Sequence, residues 1–166
     1  IYIMSFTKVK ESDNYITNKE EWEKIQNYLP KDKIIWSPFY CDGKQKQYFK
    51  EMGHDIIHED KDFFSYEPDN WGMVVDNPPF SCKKQVLERL KQLGKPFILI
   101  APSMMIGYKY FQELFKDEIQ ILVPQKRICY THLNQANRTE KEKYTPPFGS
   151  FFYCWKMNLP RDIIFV

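Results

Sequence analysis

A chain of 166 residues and 20.1 kDa has room for one compact domain with one sizeable core. Hydrophobic residues at 43% and charged residues at 28% are ordinary for a soluble globular protein. With 24 Lys and Arg against 22 Asp and Glu the net charge is +2, which excludes a global field for nucleic acid and leaves any such face to a local patch. Aromatic residues reach 17%, which suits a fold that stacks planar ligands and suits a Phe-rich core as well. The four cysteines (Cys41, Cys82, Cys129, Cys154) are scattered without C-x-x-C or paired His spacing, which argues against a zinc site and a disulfide framework. A reducing interior follows, so the expectation is intracellular: cytoplasm, or nucleus in a eukaryote. Apolar runs are strand-length, too short for a membrane span, and no signal-peptide pattern is visible. The first residues are Ile1-Tyr2-Ile3, as in a trimmed chain or a domain excised from a longer one.

Thr17-Asn18-Lys19-Glu20 reads as a capping box, followed by Trp22, Ile25 and Leu29 at helical spacing and a stop at Pro30. Lys33 to Trp36 is a short apolar run suited to a buried strand, broken by Ser37-Pro38. Gly43 opens a second helical stretch with Tyr48, Phe49 and Met52 on one face, and His54 to His58 is the next strand. A polar, aromatic segment leads into the strand Trp71 to Val75, which Asp76-Asn77-Pro78-Pro79-Phe80 ends abruptly. An amphipathic helix from about Cys82 turns Val86, Leu87, Leu90 and Leu93 inward and stops at Gly94. Pro96 to Ala101 is a strand, Tyr108 to Phe115 a helix, and Ile119 to Val123 a strand. The last third reads as a strand at Arg127 to Thr131, a polar loop over 132–147 and a strand at Ser150 to Trp155. Strands alternating with helices predict right-handed crossovers, hence a three-layer α/β/α Rossmann-like fold, its mainly parallel sheet joined antiparallel at a C-terminal edge. We expect a single domain over 1–166, with 1–30 an N-terminal segment and helix that contact the ligand site and 31–166 the catalytic sheet and helices.

Open α/β sheets bind ligands at the carboxyl ends of their strands, and Asn77-Pro78-Pro79-Phe80 lies at one. As a bare tetrapeptide it also makes an ordinary strand-to-helix turn. Its chemistry suits a conjugated amino nitrogen, whose lone pair is delocalised and whose two hydrogens need acceptors before it attacks. The Asn77 side-chain carbonyl is one acceptor and the Pro78 carbonyl the second, while Phe80 offers a flat face for a base.

On these residues the chain resembles the class I S-adenosylmethionine-dependent methyltransferases that modify amino groups, whose motif is Asn/Asp-Pro-Pro-Phe/Tyr/Trp, and the N6-adenine enzymes in particular. Asn14-Tyr15-Ile16-Thr17 looks like the element touching the methionine end of the cofactor, and Pro38-Phe39-Tyr40-Cys41-Asp42-Gly43 stands where the cofactor loop belongs. Asp60 takes the place of the ribose-binding acid, and Asp62-Phe63-Phe64 resembles the element holding the cofactor adenine. Pro124 to Ile128 and Phe148-Gly149-Ser150 are similar to segments of small viral and phage adenine methyltransferases. The resemblance implies S-adenosylmethionine as cofactor, held by Tyr15, Thr17, Pro38, Phe39, Tyr40, Gly43, Asp60, Asp62 and Phe63. It implies catalysis at Asn77, Pro78, Pro79 and Phe80, with a DNA or RNA adenine as acceptor. Two departures stand out: Ser37 replaces the usual acid before Pro-Phe, and Cys41 replaces the first loop glycine, where a Cβ restricts φ.

Lys83, Lys84, Lys126, Arg127 and, in the 132–147 loop, Arg138 are the candidates for phosphate contacts, each equally readable as a solubility group. His54, His58, Glu59 and Asp60 do not make a metal site, since i, i+4 positions share a face only on a helix and this stretch reads as strand. No membrane partner is expected, and a protein partner for target recognition stays open. Two alternatives remain: a protein-glutamine methyltransferase, and a silent subunit that binds cofactor or nucleic acid and needs a partner.

Overall fold

The computed structural model describes residues 13, 15–132 and 143–166. Strands β2 (Ile35–Trp36), β3 (Ile56–Ile57), β4 (Met73–Asp76), β5 (Phe97–Pro102), β6 (Ile119–Val123), β9 (Ser150–Trp155) and β10 (Ile163–Phe165) form one sheet in the order β10-β6-β9-β5-β4-β2-β3. Every pairing is parallel except those of β9, which runs antiparallel to β5 on one side and to β6 on the other. The expected antiparallel tail strand is therefore present and lies inside the sheet, with parallel β10 outside it; Ile163 to Phe165 carries too few residues to stand out as a strand in the sequence.

Alternation along β5 explains the layering. Phe97 and Leu99 point to one face, where helices α3 (Lys83–Leu93) and α4 (Lys109–Phe115) bring Val86, Leu87, Leu90, Phe111 and Phe115. Ile98 and Ile100 point to the other, against Trp22 and Ile25 of the N-terminal helical region and Phe49 of α2 (Gln45–Glu51). A strand buried on both faces needs an unbroken apolar run, and Phe-Ile-Leu-Ile-Ala is one. Each such side chain removed from water contributes roughly 1.5–3 kcal/mol. The fold is thus three-layer α/β/α and Rossmann-like. Helix α3 ends where expected: Gly94 takes φ 72, which lets its N–H reach the Leu90 carbonyl at 3.1 Å.

The N-terminal segment departs from expectation. Helix α1 spans Lys19–Glu23 and gives way to a 3-10 turn at Gln26–Tyr28. No capping box forms. Thr17 instead ends a strand, β1 (Tyr15–Thr17), and Asn18 is the N-cap without a side-chain cap bond. The reason is a small antiparallel sheet in which β1 pairs with β7 (Tyr130–His132) and β7 with β8 (Lys143–Tyr144). Asn18 joins it: its Nδ2 donates to the Cys129 carbonyl at 3.3 Å and its Oδ1 accepts from the Thr131 hydroxyl at 2.8 Å. The strand expected at 127–131 therefore shifts to Tyr130–His132 and belongs to this sheet, and 132–147 is not loop throughout.

Candidate functional site

The parallel strands bring the carboxyl ends of β2, β3 and β4 to one edge, and β4 ends there on Asp76. Asn77 to Phe80 follow, and the chain then enters a 3-10 turn (Phe80–Cys82) that runs into α3. Asp13 steadies this turn: its carboxylate accepts the N–H groups of Phe80 at 3.0 Å and Ser81 at 3.3 Å, and the Ser81 hydroxyl.

Asn77 is held by one side of its amide. Nδ2 donates to the Thr17 hydroxyl at 3.0 Å, whereas Oδ1 is buried and has no hydrogen-bond partner among the described residues. A buried acceptor without a donor costs roughly 1–3 kcal/mol. Beside Asn77 opens a cavity of about 400 Å³, walled by Tyr15, Pro78, Phe80, Tyr130 and Phe148. Phe80 and Phe148 meet edge to face, centroids 5.8 Å apart at 61°. Its apolar walls and few convergent polar groups are what a planar organic ligand needs.

On the other side of Asn77 lies the loop after β2. A second cavity, about 20 Å³, is bordered by Tyr15, Thr17, Phe39, Tyr40, Asp76 and Asn77. Tyr15 and Asn77 border both, so the two meet at the amide. Loop shape depends on two left-handed residues. Gly43 takes φ 74, and a Cβ there would come 2.7 Å from the hydroxyl of Tyr40, whose ring stacks on His58 at 5.0 Å. Cys41 takes φ 49, a region that costs a residue bearing a Cβ roughly 1–2 kcal/mol. Cys41→Gly should therefore raise stability by about 1 kcal/mol in chemical denaturation, since glycine adopts this φ freely. The Cys41 thiol is exposed at the loop surface, and partial desolvation with the neighbouring Asp42 and Asp76 carboxylates pushes it up to about 11, which keeps it a neutral thiol at pH 7.

Asp76 is the centre of the site's polar structure and is almost fully buried. One oxygen accepts the Ser37 hydroxyl at 2.9 Å and the Phe39 N–H at 2.8 Å; the other accepts the Asn77 N–H at 2.7 Å and faces Gln45 Nε2 at 3.5 Å. The acid missing at Ser37 thus has a counterpart one strand over. Burial pushes the Asp76 carboxyl up to about 6, opposed by His58 and by these hydrogen bonds.

Of the residues expected to hold a cofactor, Tyr15, Thr17, Phe39 and Tyr40 border the small cavity, Pro38 is buried beside Ser37, and Gly43 closes the loop. Asp60 is exposed after β3. Asp62 is exposed too, its carboxylate accepting the Phe64 N–H at 3.2 Å and the Ser65 hydroxyl at 2.9 Å, as a turn cap does. Phe63 is buried between Trp36 and Phe39, centroids 5.5 and 5.1 Å away. Of the candidate phosphate ligands, Lys83 donates to the Phe80 carbonyl at 3.2 Å, Lys84 pairs with Glu88 at 3.8 Å, and Lys126 and Arg127 are exposed after β6. Asn14 and Arg138 lie outside the described residues. Sequence reasoning did not single out Asp13, Asp76 or Tyr130, and named Phe148 only within a resembling segment; of the first three, Asp76 left a signal, as a charge ending an apolar strand. His58 Nδ1 lies 2.7 Å from the Ser37 carbonyl, and His54 Nε2 lies 3.2 Å from Lys31 Nζ. Among the described residues no helix is long and apolar enough to cross a membrane.

No family model matches the chain, and no curated protein does. Among solved structures it is similar to a precorrin-6y C5,15-methyltransferase from Geobacter metallireducens GS-15, at 11% identity and a TM-score of 0.47, over 89% of this chain and 97% of that one. It is also similar to a dimethyladenosine transferase from Plasmodium falciparum, at 10% identity and a TM-score of 0.48, over 84% of this chain and 61% of that one. Likeness this low leaves the site's own geometry to carry the functional argument.

Proposed function

We propose that this chain transfers a methyl group from S-adenosylmethionine to the N6 amino group of an adenine in DNA or RNA. The observation that carries the reading is the unpartnered Oδ1 of Asn77, buried where an aromatic-walled cavity meets the loop after β2. An amino group entering the cavity donates one hydrogen to that oxygen and the other to the Pro78 carbonyl. The Thr17 hydroxyl accepts from Nδ2 and so holds the amide in place, leaving Oδ1 for the incoming amino group. Phe80 and Phe148 grip the ring, and closure of the cavity around a turned-out base excludes water.

When bound, S-adenosylmethionine supplies a methyl group on a positively charged sulfur. The residues beside Asn77 fit such a group: the rings of Tyr15, Phe39 and Tyr40 and the carboxylate of Asp42 all favour positive charge. Tyr40 lies across Gly43 and has to swing outward to admit it, which its 38% exposure allows. Asp60 is the proposed partner of the ribose hydroxyls, so Asp60→Ala should weaken binding by about 1–3 kcal/mol in calorimetry. Lys83, Lys84, Lys126, Arg127 and Arg138 are the proposed phosphate contacts.

The same acceptor pair also suits a glutamine side-chain amide. The flat walls at Phe80, Phe148 and Tyr130 favour a ring, and we therefore put adenine first. Incubation with labelled S-adenosylmethionine, oligonucleotides and protein, followed by digestion, tests the choice. Label in N6-methyladenosine supports it; label in protein transfers the reading to glutamine. Cofactor binding without turnover on any polymer marks a silent subunit.

A further inference from the structure

Donor loop and acceptor amide belong to different strands, and one side chain ties them together. Asp76 accepts from Ser37 and Phe39 in the loop, from the N–H of Asn77, and faces Gln45 at the start of α2. We propose that Asp76 is a positioning residue that locks the loop and the Asn77 amide into one unit, and that it does so only as a carboxylate. The inference rests on the methyl-transfer reading above. Phe39, Asn77 and Gln45 face Asp76 with N–H donors, and the Ser37 hydroxyl donates to it as well. A protonated carboxyl adds a donor to this ring of donors and has to give up at least one of those bonds.

The titratable groups facing Asp76 are His58, beyond the end of β3, and Cys41, from the loop after β2; α2 presents the neutral amide of Gln45. Burial raises the carboxyl to about 6, so loss of the charge falls within a working pH range. The sign for stability is opposite to that for activity. A folded-state value above the ordinary 3.8 means that Asp76 contributes most to folding below 3.8 and that this contribution is lost as pH rises through about 6. Acidification thus disables the clamp without unfolding the protein through this residue.

The experiment is a pH profile of methyl transfer on the full chain, with amide exchange at Phe39 and Asn77 followed by NMR. In the wild type, kcat should fall with an acid limb near pH 6, and protection of both amides should fall with it. Asp76→Asn should lower kcat by about 10²-fold, the cost of misplacing a reacting group by about 1 Å, and should abolish the limb. The acceptor KM should stay within about threefold, since the cavity walls are untouched. His58→Gln should keep the limb and move it to higher pH, because the electrostatic influence of His58 that opposes the rise at Asp76 is lost. A limb that survives Asp76→Asn, or vanishes in His58→Gln, overturns the proposal. So does pH-independent protection of Phe39 and Asn77 in the wild type, a result that needs no substitution to fold. A wild type with no methyl transfer at any pH overturns the methyl-transfer reading itself, and the positioning role with it, and so differs from a failure of the clamp in an active enzyme.

Discussion

Asn77→Ala is expected to lower kcat for methyl transfer by about 10²–10³-fold, the loss typical when one preorganised hydrogen-bonding partner of a reacting group is removed. The effect should be confined to turnover. Asn77 Oδ1 has no partner within the described fold, so deleting it breaks no hydrogen bond there and relieves a buried, unsatisfied acceptor. The Nδ2 donor to the Thr17 hydroxyl oxygen is lost as well, a neutral hydrogen bond worth about 0.5–1.5 kcal/mol that the relieved acceptor offsets. Thermal stability should thus change little, and cofactor affinity should stay within a few-fold. Single-turnover kinetics beside calorimetry separates these terms. Turnover near wild type would remove the acceptor role from Asn77, and a collapse in stability would make it a structural residue instead.

Trp22→Ala should cost about 3–5 kcal/mol of stability, the usual cost of emptying a large aromatic site. Trp22 is fully buried and packs on Phe49 of α2 and Phe152 of β9, centroids 5.5 and 6.4 Å away. It fastens the N-terminal segment to the sheet, and with it Tyr15 and Thr17 at the site. Trp22→Phe is expected to cost much less, because it keeps a ring and removes a buried indole N–H that has no partner among the described residues. Urea denaturation of the two variants measures the difference. Equal losses would show that the indole's full size matters more than the ring contacts.

The sequence displays the sheet and its helices because they rest on local patterns: an unbroken apolar run for β5, a 3.6-residue stripe ending in glycine for α3, an abrupt Asp-Asn-Pro-Pro-Phe after β4. The Asn77 to Phe80 segment stood out for the same reason, being contiguous and placed at a strand end. What sequence could not supply was contact between distant segments. Thr17 read as a helix cap because Glu20 stands three residues on, but pairing of β1 with β7, over 110 residues away, makes it a strand residue that orients Asn77. Tyr130 comes from a stretch with no motif, and Phe148 from one marked only by resemblance; both reach the cavity through the fold. Asp60 and Asp62 are exposed after β3, with Asp62 engaged in its own turn, so their suggested contacts to ribose and adenine rest on position along the chain alone.

The inserted strand β9 also bears on how the chain is made. Both neighbours of β6 are made after it: β9 on one side and β10 on the other. A ribosome that has released residues through Val123 has therefore produced a strand with no bonding partner, and β5 still has one bare flank. Closure waits for Ser150 to Trp155, whose Phe152, Tyr153, Cys154 and Trp155 are all buried once in place. Until then both edges of β6 and one edge of β5 are unpaired, the condition under which nascent chains stick to one another or to chaperones. Stalled or prematurely terminated products ending before Ser150 should accumulate in the insoluble fraction, while chains that extend through Phe165 can pair β6 on both sides.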